Sequence, residues 1–353
     1  MLTSDLDYGL PEDLIAQSPA EPRDASRLMV VDAESGSISH HVFRDLPDFL
    51  ASGDALILNE TKVLPARLFA RRPGGGRVEL LFLRDLGDAF GGAWETLVRP
   101  SKRLRAGLTL SAEGEKIEVV ESLGDGRWSI RGRNLPGLMQ RAGRMPLPPY
   151  IRPTESAESA YQTVYARNPG SAAAPTAGFH FTPETLTAAE RTGAGILRVT
   201  LHVGTGTFTP VRTKRLEDHR MHAEHYFVPE ETARAVDEAS RVVAVGTTVA
   251  RTLESRAESG EREGESTLFI YPGFRWRAVD ALLTNLHLPR STLLAMVMSF
   301  AGEELVREAY RVAIRERYRF YSFGDAMLLL DGGRTGHSGL HDPRPPEEAW
   351  PRQ

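Results

Sequence analysis

The stretch Arg67-Leu68-Phe69-Ala70-Arg71-Arg72-Pro73-Gly74-Gly75-Gly76-Arg77-Val78-Glu79-Leu80-Leu81-Phe82-Leu83 decides how this chain divides. Two runs that mix apolar and charged residues flank a Pro-Gly-Gly-Gly turn. Glycine supplies the positive φ that tight turns need, so the pattern predicts a β-hairpin. Further short β-rich runs follow at 94–98, 108–110, 116–121 and 128–131, separated by Gly and Asp turns. Short strands at near-regular spacing predict a small all-β barrel or sandwich. The region closes at Met145-Pro146-Leu147-Pro148-Pro149-Tyr150, a composition suited to a rigid linker.

The charge follows the same division. The 353 residues carry 43 Lys plus Arg against 47 Asp plus Glu, a net charge of −4. Residues 62–152 hold 17 basic and 9 acidic side chains (+8), leaving 26 against 38 (−12) elsewhere. A near-neutral total thus hides a basic segment inside an acidic chain, an asymmetry that suits a polyanionic partner, or else a merely solvated Arg-rich face. The cluster Arg99-Pro100-Ser101-Lys102-Arg103-Leu104-Arg105 is its densest part. With no cysteine, the chain has no disulfide scaffold, thiol nucleophile, iron–sulfur cluster or Cys-ligated zinc. The first residues are acidic and lack the basic and apolar regions of a signal peptide, and the longest apolar run, 292–301, is about half a membrane span. A soluble, cytoplasmic protein is expected.

Beyond Tyr150 the pattern alternates strands and helices, the mark of an α/β region. Thr182-Pro183 starts a helix that Gly193 ends, and Ser291 caps another through Phe300. Helices are also expected over 229–241, from Gly246 to about Arg256, and over 303–317. Strands are expected over 195–208, 242–245, 267–271 and 281–284. Residues 331–353, rich in Gly, Pro and charge, read as a disordered tail.

Polar groups concentrate at the junctions of this region. Residues 174–181 bring Thr176, Phe179 and His180 together, and 201–208 hold His202, Thr205 and Thr207 among glycines. The latter is a weak dinucleotide-type pattern, better read as a strand that lets a ligand approach closely. Gly246-Thr247-Thr248 follows a buried strand and opens a helix, either a seat for an anion or an ordinary capped turn. Asp280 and Asn285-Leu286-His287-Leu288-Pro289-Arg290 mark a second strand-to-helix junction. Ligands favour the carboxyl ends of strands in such folds. His219, His222 and His225 with Glu224 could hold a metal, but their spacing fits neither one helix face nor one strand face; a polar histidine cluster is the plainer reading. The residues alone thus give an α/β enzyme domain plus a basic β domain.

Several long strings go further. AAAPTAGFHFTPETL, VTLHVGTGTFTPVR, HRMHAEHYFV, AVGTTVARTLES, FIYPGFRWRAVDALLTNLHLPRSTLLAMVMSFAG and YRFYSFGDAML closely resemble the S-adenosylmethionine:tRNA ribosyltransferase-isomerases of queuosine biosynthesis. So do LIAQSPAEPRDASRLMVVD, LILNETKVLPARL and GRMPLPPYI, and together the matches run from about Asp5 to Leu330. Glu60, Lys62, Thr205 and His225 depart from the usual pattern.

The resemblance implies an α+β multidomain fold, an α/β domain with a mixed sheet (1–61 and 150–330) interrupted by an all-β barrel-like insertion (62–149). It implies transfer and isomerisation of the ribosyl moiety of S-adenosylmethionine onto 7-aminomethyl-7-deazaguanine at the tRNA wobble position. Epoxyqueuosine forms, and adenine and methionine leave. S-adenosylmethionine would be a co-substrate, with no permanently bound cofactor and no metal, and the chain would be a monomer. Proton transfer would draw on His180, His202, His222, Glu224, Asp280 and His287. Co-substrate contacts would come from Thr176, Phe179, Thr205, Thr207, Thr247, Thr248, Arg251, Tyr271, Asn285 and Arg290, with Phe179, Phe181 or Tyr271 as the adenine wall. Arg71, Arg72, Arg99, Lys102, Arg103 and Arg105 would hold the tRNA anticodon stem-loop. The competing readings are a His-rich metallohydrolase acting on a polyanion and a non-catalytic RNA-binding protein.

Overall fold

A computed structural model describes residues 1–204 and 211–333. The chain first lays down β1 (Arg27–Asp32), β2 (Ile38–Val42), β3 (Asp54–Asn59) and β4 (Thr61–Val63). Six strands follow: β5 (Arg67–Arg71), β6 (Arg77–Asp85), β7 (Trp94–Arg99), β8 (Thr109–Ala112), β9 (Glu115–Gly124) and β10 (Arg127–Gly132). They close into an antiparallel barrel in the order β10-β7-β6-β5-β8-β9. The hairpin read from sequence is β5–β6, in register Arg71↔Arg77. Gly74 and Gly75 take φ of +88° and +90° in its turn, a conformation that favours glycine. Strand alternation points Leu68, Ala70, Val78 and Leu80 into the barrel core, while Arg77 lies over the exposed Phe69 ring at 3.9 Å.

Two further features of this segment have no clear signal in the sequence pattern. Helix α1 (Leu135–Ala142) follows the barrel, with Asn134 accepting from the Gly137 N–H and Leu135, Leu138 and Met139 buried in the barrel core. The chain also leaves and returns at one place. β4 pairs in parallel with β11 (Asn168–Ser171), and Arg67 and Arg144 exchange backbone hydrogen bonds of 3.1 and 2.8 Å.

The remaining elements are α2 (Glu155–Ala160), α3 (Pro183–Arg191), β12 (Gly195–Leu201), β13 (Glu224–Phe227), α4 (Glu230–Glu238), β14 (Arg241–Val245), α5 (Thr247–Ser259), β15 (Glu263–Ser266), β16 (Ala281–Asn285), α6 (Thr292–Ala301), α7 (Glu303–Arg315) and β17 (Ala326–Leu330). Thr182 and Ser291 cap α3 and α6 as their sequences predict, accepting from the N–H groups of Thr185 and Leu294. The large sheet is mixed, in the order β15-β13-β12-β3-β14-β16-β17-β1-β2. Its centre, β12-β3-β14-β16, is wholly parallel, with apolar runs buried on both faces.

The strand expected over 267–271 does not form. The strand lies earlier, at β15, whose Glu-Gly-Glu-Ser sequence carries no apolar alternation because it pairs at the sheet edge. The long strand expected to reach Phe208 ends at Leu201, and residues 205–210 lie outside the described residues. Of the expected tail, Gly333 donates to the Phe300 carbonyl at 3.2 Å, and residues 334–353 likewise lie outside the described residues.

Candidate active site

Because β3, β12, β14 and β16 run parallel, their carboxyl ends meet on one side. Asn59, at the end of β3, fastens them. Its Nδ2 donates to the Leu201 carbonyl (3.1 Å) and to Thr248 Oγ1 (3.3 Å), and its Oδ1 accepts from the N–H groups of Thr61 and Leu201 (3.1 Å each). After β14 the chain turns at Gly246, φ +92°, where an added Cβ would stand 3.3 Å from the Ala177 Cβ. The N-terminus of α5 follows directly. Two hollows open here and share Thr247, Thr248 and Leu293. One is walled by Tyr150, Thr176, Asn285, His287 and Tyr321; the other by Glu224, Arg251, Leu268, Phe269 and Met296.

The first hollow rests on a buried chain of hydrogen bonds. Thr176 Oγ1 donates to Asn285 Oδ1 at 2.8 Å, which turns the amide nitrogen of Asn285 toward His180 Nε2, 3.3 Å away. Nε2 must then accept, so the His180 proton sits on Nδ1 and donates to Ser26 Oγ at 2.7 Å. Burial, with Arg319 and Arg23 adding to it, lowers the His180 pKa to about 3, and the ring stacks on Phe43. His180 is therefore a neutral ring buried beneath the cleft rather than lining it. His287 does line the hollow. Its Nε2 lies 2.6 Å from Thr284 Oγ1, its N–H donates to Tyr310 Oη at 2.9 Å, and its carbonyl accepts from Tyr8. Burial lowers its pKa to about 3 as well.

In the second hollow, Arg251 forms a buried ion pair with Glu224, whose Oε1 also accepts from the Gly204 N–H at 2.8 Å. Burial lowers the Arg251 pKa to about 10, so it stays charged at neutral pH.

The structure gathers Thr176, Thr247, Thr248, Glu224, Arg251, Asn285 and His287 around the two hollows and sets other expected residues elsewhere. Asp280 precedes β16 at the opposite end of the parallel strands, where its Oδ2 accepts from the Val242 N–H at 2.8 Å. That makes it a fastening of the sheet, away from the cleft. His202 hydrogen-bonds Thr61 Oγ1 at 2.8 Å, and burial lowers its pKa. His222 is exposed and lines a different groove. Arg290 is exposed and paired with Asp7. Phe179 and Phe181 are buried in separate cores, and Tyr271 stands 5.1 Å from Phe269 rather than in the first hollow. The aromatic wall is instead Tyr150 and Tyr321, with ring centroids 4.8 Å apart and Tyr150 Oη 2.8 Å from Ser322 Oγ. Tyr321 holds φ at +71°, a left-handed conformation unusual for a bulky residue and typical of functional sites. These two residues come together from positions 171 apart, so no local pattern announces them.

On the barrel, Arg99 ends β7, and Lys102, Arg103 and Arg105 lie exposed in the turn before β8. Arg67, Arg84, Arg127, Arg131 and Arg141 are each paired with a glutamate. Arg99 and the three cations of the turn have no ion pair among the described residues, nor do Arg71 and Arg72 of the hairpin. Arg99 also lines a groove between the barrel and the α/β body, with Arg127, Pro146–Pro149 and His222. Among the described residues no group of three or more His, Asp or Glu stands placed to hold a metal, and no helix is long and apolar enough to cross a membrane.

The family model described as "Queuosine biosynthesis protein" matches residues 3–329. A Rubrobacter xylanophilus protein named S-adenosylmethionine:tRNA ribosyltransferase-isomerase is 75% identical over 336 residues, spanning 95% of this chain and 99% of that protein. One of the same name from Anaeromyxobacter is 52% identical, spanning 93% of this chain and 99% of that one. The crystal structure of S-adenosylmethionine tRNA ribosyltransferase from Thermotoga maritima aligns over 93% of this chain and all of its own, with 39% identity and a TM-score of 0.54. Barrel, mixed sheet and sequence agree over nearly the whole length: the chain belongs to the queuosine biosynthesis protein family.

Proposed function

We propose that the chain transfers and isomerises the ribosyl moiety of S-adenosylmethionine onto 7-aminomethyl-7-deazaguanine at the wobble position of tRNA. Epoxyqueuosine forms, and adenine and methionine are released. The observation that carries this reading is the pair of hollows meeting at Thr247 and Thr248, which suits a co-substrate made of two unlike halves. The sulfonium acidifies the C5′ hydrogens, and a positioned base must remove one of them; adenine departs more easily when a ring nitrogen is protonated. His287 is the proton-transfer group we favour, since it lines the first hollow beside Thr284 and Asn285. His180 acts through Asn285, and Asp280 fastens the sheet at the end away from the cleft. The unpaired cations of the β7–β8 turn, with Arg71 and Arg72, suit the phosphates of an anticodon stem-loop. We further propose that the chain works as a monomer in the cytoplasm, without a permanently bound cofactor.

The deciding experiment is one incubation of the protein with S-adenosylmethionine and an anticodon stem-loop bearing the 7-aminomethyl-7-deazaguanine base. Digestion should yield the epoxide nucleoside in amounts matching free adenine. Adenine without epoxide, or neither product, would remove this reading. His287→Gln should retain co-substrate binding and lose turnover by about 10²-fold or more, the usual range for a proton-transfer group.

A further inference from the structure

We propose that the Glu224–Arg251 pair seats the amino-acid end of the co-substrate and so fixes the direction in which S-adenosylmethionine lies in the cleft. The inference rests on the function proposed above and adds the orientation of the ligand. Both side chains are more than nine-tenths buried, at 6% exposure each, yet they line an open hollow. A buried ion pair contributes little to stability, because desolvation offsets much of its attraction and apolar side chains of the same shape serve as well. Its presence at a cavity wall calls for another account, and the charges supply one.

Glu224 is held from behind. It sits on β13, and its Oε1 accepts from the Gly204 N–H at 2.8 Å. Arg251 stands one turn along α5 from Thr247 and Thr248. A guanidinium carries five N–H donors, and Glu224 is the one partner Arg251 has among the described residues. An α-amino acid is the complementary ligand. Its carboxylate takes the remaining guanidinium donors and its ammonium takes the Glu224 carboxylate, so charges alternate in sign and the desolvated site stays neutral overall. Leu268, Phe269, Leu293 and Met296 then enclose the methylene and sulfur arm.

The opposite orientation fails on the same grounds. A purine in this hollow would bury the pair against a ligand without charge. The zwitterion would then lie between Tyr150, Tyr321, Asn285 and a neutral His287, none of which carries a charge to meet it. The purine belongs on the tyrosines.

The test compares ligands first in the wild-type protein, where folding is not in question. Calorimetry with S-adenosylmethionine, its decarboxylated analogue and 5′-methylthioadenosine should show decarboxylation weakening binding by about 30-fold or more, the effect of stripping one partner from a buried charge pair. The double variant Glu224→Gln, Arg251→Met, which leaves no lone buried charge, should bind S-adenosylmethionine and the decarboxylated analogue alike. It should bind 5′-methylthioadenosine within about two-fold of wild type, which also shows that the cleft is intact. Equal wild-type affinities for the carboxylated and decarboxylated ligands overturn the orientation while leaving the proposed function standing. So does a loss of 5′-methylthioadenosine binding as large as that of S-adenosylmethionine. Failure of wild-type protein to bind S-adenosylmethionine at all overturns both.

Discussion

Acidification should destabilise this protein well before its carboxylates titrate, and the amount follows from two histidines. His180 and His287 are buried, and both have pKa values lowered from 6.5 to about 3 by that burial. Below pH 6.5 the unfolded chain takes up protons on these rings while the folded chain does not. Stability is therefore complete above pH 6.5 and is lost progressively as pH falls toward 3. Each ring contributes a limiting slope of about 1.4 kcal/mol per pH unit, so lowering pH from 7 to 5 removes about 2 kcal/mol per histidine and about 4 kcal/mol for the pair. Urea unfolding at the two pH values measures the difference, and a single substitution isolates one ring. His180→Gln keeps a group able to meet Ser26 or Asn285 and removes the titration, so its pH 7 to pH 5 loss should be smaller than wild type by about 2 kcal/mol. An unchanged loss in His180→Gln would refute the claim that this ring is neutral in the fold, and with it the hydrogen-bond direction assigned from Ser26 to Thr176.

Other expectations concern ligands and packing. Tyr150→Ala should weaken 5′-methylthioadenosine binding by about 10-fold, as removal of a base-stacking ring does, whereas Tyr150→Phe should stay within about two-fold; equal losses in calorimetry would assign the effect to the Ser322 hydrogen bond instead. Replacing Lys102, Arg103 and Arg105 by Ser should lower the salt slope of stem-loop binding by about 2 and leave S-adenosylmethionine affinity unchanged; a constant slope across a salt titration counts against the turn as a phosphate contact. Glu254 accepts from the N–H groups of Arg277, Ala278 and Val279 at 2.9, 2.9 and 3.1 Å. Glu254→Ala orphans all three, and denaturant unfolding should show a loss of about 3 kcal/mol or more.

The barrel was legible because its strands alternate and its turns are glycines; the hairpin at Gly74 and Gly75 states its own geometry. The caps at Thr182 and Ser291 were legible for the same local reason. Helix α1 was not, since it starts at Asn134-Leu135-Pro136-Gly137 inside a stretch otherwise rich in strand residues, and its apolar side chains serve the barrel. The absence of a strand at 267–271 shows the limit of apolar pattern: Phe269 and Ile270 pack on the core and line a hollow outside any strand, while the strand itself is a polar edge segment paired to β13. At the site, residues on the carboxyl ends of strands could be picked out by type and position. Asp280 could not be told from them, because its role depends on which end of β16 faces the cleft. Tyr150 and Tyr321 were out of reach, for their meeting is a product of the whole fold.

Tyr150 has a further consequence. Pro146–Pro149 face the groove beside the barrel, and the next residue places its ring against Tyr321 in the first hollow. A chimaera that takes its barrel from a relative must therefore be cut ahead of Met145 or beyond Ile151. A linker one residue longer there would swing that ring off its neighbour and disturb the first hollow while leaving every barrel strand intact. Recombination would treat the barrel and the cleft as one inherited unit.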